Sequence, residues 1–97
     1  MRVLERRFRL RIGEIDLIAE RGELLVFVEV KARRGTTAGR PAEAVTPAKQ
    51  RRLARVALAY LARRGWLDRP CRFDVVEVFE GGRMRHIEDA FRIGLGG

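Results

Sequence analysis

Glu29 and Lys31 interrupt a strand that is otherwise apolar, and no other stretch limits the fold as tightly. The run Val26-Phe27-Val28-Glu29-Val30-Lys31 is β-branched and aromatic, and at its start it is apolar on both faces. Such a strand belongs in the middle of a sheet, covered on both sides. Residues 29 and 31 stand two apart, so their side chains leave the same face. Burying either charge without a partner is costly. Two explanations remain: a plain ion pair with neighbours, or a metal-dependent active site.

The flanking sequence supplies the rest of a sheet. Phe8, Leu10 and Ile12 alternate with Arg7, Arg9 and Arg11, which predicts a half-exposed strand over residues 2–12 with one basic face. Gly13 permits a bend or bulge before a second strand over Glu14 to Ala19. Glu20-Arg21-Gly22-Glu23 is a hairpin signal, and Leu24 to Ala32 forms the third strand of an antiparallel meander. Gly35 to Ala44 has no hydrophobic period and reads as a loop. Thr46-Pro47 then starts a helix that runs to Arg64 and ends before Gly65. Helical periodicity places Leu53, Ala57, Tyr60 and Leu61 on one side and Arg51, Arg52 and Arg55 on the other. Gln50 falls on the apolar side, where its amide needs a buried partner or a functional neighbour.

Cys71 to Phe79 is a fourth strand, with Phe73, Val75, Glu77 and Phe79 on one face and Asp74, Val76 and Val78 on the other. Met84 to Ile87 is a short fifth strand, followed by a tail that docks through Ala90, Phe91, Ile93 and Leu95. A meander, a crossover helix and further strands make a single α/β domain over residues 1–97 with a mixed sheet.

Charge narrows the partner. The chain carries a net charge of +8, and 19 of its 21 cations are arginine. Ten of them lie between Lys31 and Arg64 against a single acid, Glu43, so the remainder of the chain is close to neutral. A concentrated basic segment points to a polyanion, nucleic acid before an acidic membrane surface. An arginine-rich proteome or a thermostable surface would give the same enrichment. No apolar run is long enough to span a bilayer. The start of the chain lacks signal-peptide features, so a cytoplasmic location is expected. Cys71 is the only cysteine, which excludes an internal disulfide.

The chemistry-bearing group is Asp16 with Glu29-x-Lys31. A hairpin turn at residues 21 and 22 pairs Asp16 opposite residue 27, diagonal to Glu29 and within reach for two carboxylates sharing a cation. Such carboxylates repel unless a cation lies between them. A hard divalent ion, Mg²⁺ or Mn²⁺, fits because it takes one or two carboxylates and keeps several waters. Lys31, on the face of Glu29, would hold an attacking water or a phosphate oxygen. Strands carrying Glu-x-Lys are common, and a surface salt bridge explains most of them.

Three blocks carry a resemblance: Gly13-Glu14-Ile15-Asp16-Leu17-Ile18-Ala19, Val26 to Arg33, and Pro41-Ala42-Glu43-Ala44-Val45-Thr46-Pro47-x-Lys49-Gln50. With Arg72-Phe73-Asp74-Val75-Val76 and Ile87-Glu88-x-Ala90-Phe91, the chain resembles the YraN-like family of uncharacterised bacterial proteins over nearly its whole length. The resemblance implies a restriction-endonuclease-like fold, similar to archaeal Holliday-junction resolvases, with the PD-(D/E)-x-K pattern falling on Asp16, Glu29 and Lys31. It implies Asp16 and Glu29 as metal ligands, Lys31 as the positioning residue, and Glu14 and Gln50 as auxiliary members. Family members usually begin with a helix, whereas this chain begins at the following strand. Either the start of the gene is set too far downstream or this version lacks the helix; its loss predicts exposed apolar surface, which a homodimer contact could cover.

Other residues read as structural. His86 alone cannot build a metal site. Trp66 and Tyr60 serve packing ahead of base stacking. Asp74 is either a supporting partner of the site or one half of a buried pair with an arginine. The expected function is a metal-dependent DNA endonuclease, with branched DNA among the substrates. Lys31, Arg33, Arg34, Arg40, Lys49, Arg51, Arg52 and Arg55 would meet the nucleic acid. The rivals are a non-catalytic nucleic-acid-binding module and a basic protein-interaction adaptor.

Overall fold

The computed structural model describes residues 1–33 and 45–92. Among the described residues the elements run β1 (Arg2–Leu10), β2 (Gly13–Arg21), β3 (Leu24–Ala32), α1 (Pro47–Arg64), β4 (Cys71–Val78) and β5 (Met84–Phe91). The five strands form one sheet in chain order. Neighbours are antiparallel except for the parallel pair β3–β4. A parallel pair needs a long crossover, and α1 lies in it. The expected α/β class and mixed sheet are therefore present.

The hairpin register differs from the sequence reading. Arg21 pairs with Leu24 and Leu17 with Val28, so the two-residue turn is Gly22-Glu23, not residues 21 and 22. Gly22 has a φ of 59°. A two-residue hairpin favours glycine at its first central position when only that position has positive φ. Moving Gly22 from second to first place shifts the register by two residues. Extended past its last pair, Leu17–Val28, that register would set position 16 against position 29 instead of 27.

Two strand boundaries also move. β1 ends at Leu10, and Arg11-Ile12 form the turn into β2 that was read as strand. β5 extends to Phe91, well beyond Ile87. Its pairing with β4 slips between Phe73 and Val75, and Asp89 adopts a φ of 52° there. Aspartate tolerates this left-handed conformation better than most residues, so a bulge forms and the strand resumes. Polar Glu88-Asp89 looks like a strand end in sequence for the same reason.

α1 begins as its sequence dictates. Thr46 is extended and its Oγ1 accepts a hydrogen bond from the Lys49 N–H at 3.2 Å, with Pro47 in the first turn. Gly65, with a φ of 71°, ends it. Leu53, Ala54, Val56, Ala57, Tyr60 and Leu61 are buried, while Arg51, Arg52 and Arg55 are exposed. The buried stripe packs on Ile15, Ile18, Leu25, Phe27, Phe73 and Val75 of the sheet. Phe27 is central, 5.3 Å from the Phe73 ring and 6.4 Å from that of Tyr60 between centroids. Truncating a ring so placed to alanine costs about 3–5 kcal/mol. Gly13 marks a close approach of β2 to the helix: a Cβ there would lie 3.0 Å from Arg52 Cγ and Cδ.

The opposite face of the sheet carries Val26, Val28, Val30, Asp74 and Val76, which alternate with the helix-facing set. Val30 is 40% exposed, whereas Val26 and Val28 on the same face are buried, so no broad exposed apolar face is seen there among the described residues. Asp74 on this face is fully buried. It accepts from Arg72 Nε at 2.8 Å and Nη2 at 3.0 Å, from the Asp89 N–H at 3.0 Å, and lies 2.7 Å from His86 Nε2. Asp74 and His86 are thus structural partners, and the arginine pair is the alternative realised.

Candidate functional site

Asp16 stands where the β2–β3 ladder stops. Beyond Leu17–Val28 no backbone pair continues; instead Asp16 Oδ2 accepts the Val30 N–H at 2.7 Å. One carboxylate oxygen is thereby fixed to β3. Its other oxygen has no hydrogen-bond partner among the described residues. Glu29 is 9% exposed, a burial level at which a carboxylate needs a cation. Lys49, from the first turn of α1, supplies one: its Nζ lies 2.8 Å from Glu29 Oε1.

Asp16 and Glu29 line one cleft of about 210 Å³ together with Gly13, Glu14, Lys49, Arg52 and Leu53. At about 30 Å³ per water it has room for several. Glu14 lies 3.5 Å from Arg9, at the outer end of this group. Arg52 also lines a neighbouring groove of about 240 Å³ with Ile12, Ala48, Arg51 and Arg55. An acidic pocket and an arginine-lined groove therefore meet at Arg52. On the other side of β2, Asp16 also borders a groove of about 550 Å³ formed with Arg6, Arg7, Leu17, Val30 and Ala32.

The remaining predicted residues divide. Lys31 is half-buried on the face of Glu29, with no hydrogen-bond or ion-pair partner among the described residues. It does not line the acidic cleft. Its neighbour across the parallel pair is Glu77, which is fully buried and held by Arg33 and Arg85. Burial alone would raise the Glu77 carboxyl, but hydrogen bonds and charge from those two arginines outweigh it and lower the pKa. Arg33 is thus tied to Glu77. The Gln50 side chain donates its Nε2–H to the Val45 carbonyl at 3.0 Å, so its amide is satisfied by the chain entering α1. Arg34 and Arg40 lie outside the described residues. Among the described residues no group of three or more His, Cys, Asp or Glu forms a metal cluster.

Two features were missed in sequence. The pairing of Lys49, expected to meet nucleic acid, with Glu29 is one; the Thr46-Pro47 cap, which points Lys49 into the first turn, is the available signal. Arg6 and Arg7 border Asp16 through the β1 pairing, which only the register reveals.

Residues 1–78 match a family described as uncharacterised protein family UPF0102. The chain is 62% identical to the UPF0102 protein STH1475 of Symbiobacterium thermophilum over 94 residues, covering 93% of this chain and 80% of that protein. It is 45% identical to a UPF0102 protein of Geotalea uraniireducens over 95 residues, covering 94% and 75%. With the UPF0102 protein GSU0650 of Geobacter sulfurreducens the identity is 47% over 96 residues, covering 95% and 75%. No helix among the described residues is long and apolar enough to cross a membrane.

Proposed function

The chain belongs to the uncharacterised protein family UPF0102, the YraN-like family, and on that premise we propose that it is a metal-dependent phosphodiesterase domain acting on DNA, branched DNA included. In this reading the fold is restriction-endonuclease-like, similar to that of archaeal Holliday-junction resolvases. The observation that carries it is the single cleft shared by Asp16 and Glu29, which opens at Arg52 onto the groove of Arg51 and Arg55.

The donor set suits Mg²⁺ or Mn²⁺, which takes one or two carboxylates and fills its remaining positions with water. Asp16 and Glu29 would hold the ion. Once bound, it would supply charge neutralisation at a phosphate and make water a stronger acid. Asp16, pinned to the Val30 N–H, presents its other oxygen in a fixed direction. Lys31, on the Glu29 face of β3 but outside the cleft lining, would have to turn its ammonium toward the cleft to orient the attacking water or a phosphate oxygen. Arg51, Arg52 and Arg55 would hold the phosphate backbone on both sides of the scissile bond. A second copy of the chain, if it pairs, would cover the exposed Val30 side chain.

Duplex, flap and four-way-junction DNA incubated with Mg²⁺ or Mn²⁺ tests the reading. Wild type should cleave at least one of them, and Asp16→Asn and Lys31→Ala should not. Wild type leaving all three intact would overturn it. The second reading is a DNA-binding module of the same fold without catalysis. It is favoured by the Lys49 ammonium, which already neutralises Glu29 at 2.8 Å. That module would leave all substrates intact yet bind them with a steep salt dependence.

A further inference from the structure

Glu29 holds a cation of the protein's own. We propose that Lys49 is a tethered counter-ion of the candidate site, seated where a divalent cation would bind Glu29, so that the Lys49–Glu29 pair and cation binding exclude one another. The inference rests on the reading of Asp16 and Glu29 as cation ligands and adds a control element to it.

Four observations support the exclusion. The Glu29 side chain is 10% exposed, so space beside its carboxylate is limited, and Lys49 Nζ takes part of it at 2.8 Å. Lys49 is the only residue among the described ones that pairs with that carboxylate. Its backbone is anchored by the Thr46 cap, whereas its side chain is 34% exposed. The cleft it borders is about 210 Å³, with Asp16 and Arg52 on its walls.

The chemistry of lysine suits this role. Its ammonium is a compact, strongly hydrated charge on a flexible stem, so it can leave Glu29 for water with little loss. An arginine fork would hold a carboxylate bidentately and leave less readily. When Lys49 swings out, the carboxylate needs another cation, because a buried charge without a partner is unfavourable. The released ammonium stays beside Arg52, at the mouth of the arginine groove. Cation entry and the presentation of one more phosphate-binding charge are then a single event.

Calorimetric titration with Mn²⁺ alone tests the proposal on wild type, Lys49→Met, Arg52→Met and Asp16→Asn. Lys49→Met should bind Mn²⁺ about fivefold more tightly than wild type, the scale of a half-exposed ion pair. Arg52 lines the same cleft without pairing with Glu29, so Arg52→Met should change affinity less than about twofold. Thermal unfolding supplies a second readout. Lys49→Met should melt below wild type without Mn²⁺ and gain more from its addition. Should Lys49→Met fail to fold, Lys49→Gln makes the same comparison.

Equal tightening in Lys49→Met and Arg52→Met would overturn the proposal, because a general field and not a shared seat would explain it. Wild-type affinity in Lys49→Met would overturn it as well, while Mn²⁺ heat abolished by Asp16→Asn would leave the metal reading standing. Absence of Mn²⁺ heat from wild type and Lys49→Met alike would overturn both.

Discussion

Asp16 fastens β2 to β3 with its side chain: Oδ2 accepts the Val30 N–H at 2.7 Å, one step beyond the last backbone pair, Leu17–Val28. The same carboxylate is the best candidate ligand, so structural and functional effects must be separated. Asp16→Asn keeps an oxygen acceptor for Val30 and removes the charge. Asp16→Ala removes both and leaves a backbone donor unpaired. Urea unfolding should show Asp16→Ala destabilised by about 1 kcal/mol, the net worth of an exposed hydrogen bond, and Asp16→Asn by about half of that or less. Equal losses would mean that the charge, not the hydrogen bond, secures this end of the hairpin.

Acid should unfold the protein through Asp74 and Glu77. Burial opposes the charged form of Asp74, but Arg72, the Asp89 N–H and His86 together lower its pKa below the ordinary 3.8. Glu77 is lowered below 4.5 by Arg33 and Arg85 against the same opposition. A carboxyl with a depressed folded-state pKa stabilises the fold fully above its unfolded pKa. That contribution is lost as pH falls through the folded value. Stability measured by urea melts should therefore be flat above about pH 5 and fall below about pH 4. Asp74→Asn should lose about 3 kcal/mol at neutral pH, since Arg72 loses its buried carboxylate partner and keeps only the exposed Glu88 at 3.7 Å. It should also show a shallower acid slope.

The arginine groove predicts a salt dependence. If Arg51, Arg52 and Arg55 each meet a phosphate, replacing all three with glutamine should weaken duplex binding. The slope of log affinity against log salt should fall by about three. Fluorescence anisotropy across a salt series measures it. An unchanged slope would place the polyanion elsewhere on the chain.

Trp66 illustrates packing where base stacking was the competing idea. Arg64 lies 4.3 Å from its ring centre and Arg69 4.4 Å, so the indole stacks with two guanidinium groups. Arg69 in turn reaches the carbonyls of Gly22 and Glu23 and the Glu20 carboxylate. This chain of contacts ties the end of α1 to the β2–β3 turn. Trp66→Ala should lower stability by about 3 kcal/mol while leaving the salt slope of DNA binding unchanged. A changed slope would make the indole part of the nucleic-acid interface.

Local sequence alone determined the period-two strands, the span of α1 between Thr46 and Gly65, and the identity of the apolar helix stripe. Each is written within a few neighbouring residues, in side-chain period and capping chemistry. It also singled out Asp16, Glu29 and Lys31. Tertiary structure alone decided which of them share a cleft: Asp16 and Glu29 do, and Lys31 does not line it. Whether Gly22 came first or second in its turn set Leu17 against Val28 instead of Val26, a difference of two positions that the alternation of side chains cannot detect because both choices keep the same face. The bulge at Asp89 depends on Asp74, fifteen residues away, accepting its N–H. The pairing of Lys49 with Glu29 depends on how α1 crosses back over β3, and no local pattern records the distance between a helix's first turn and a strand's end. Sequence thus named the charges, and long-range packing chose their partners.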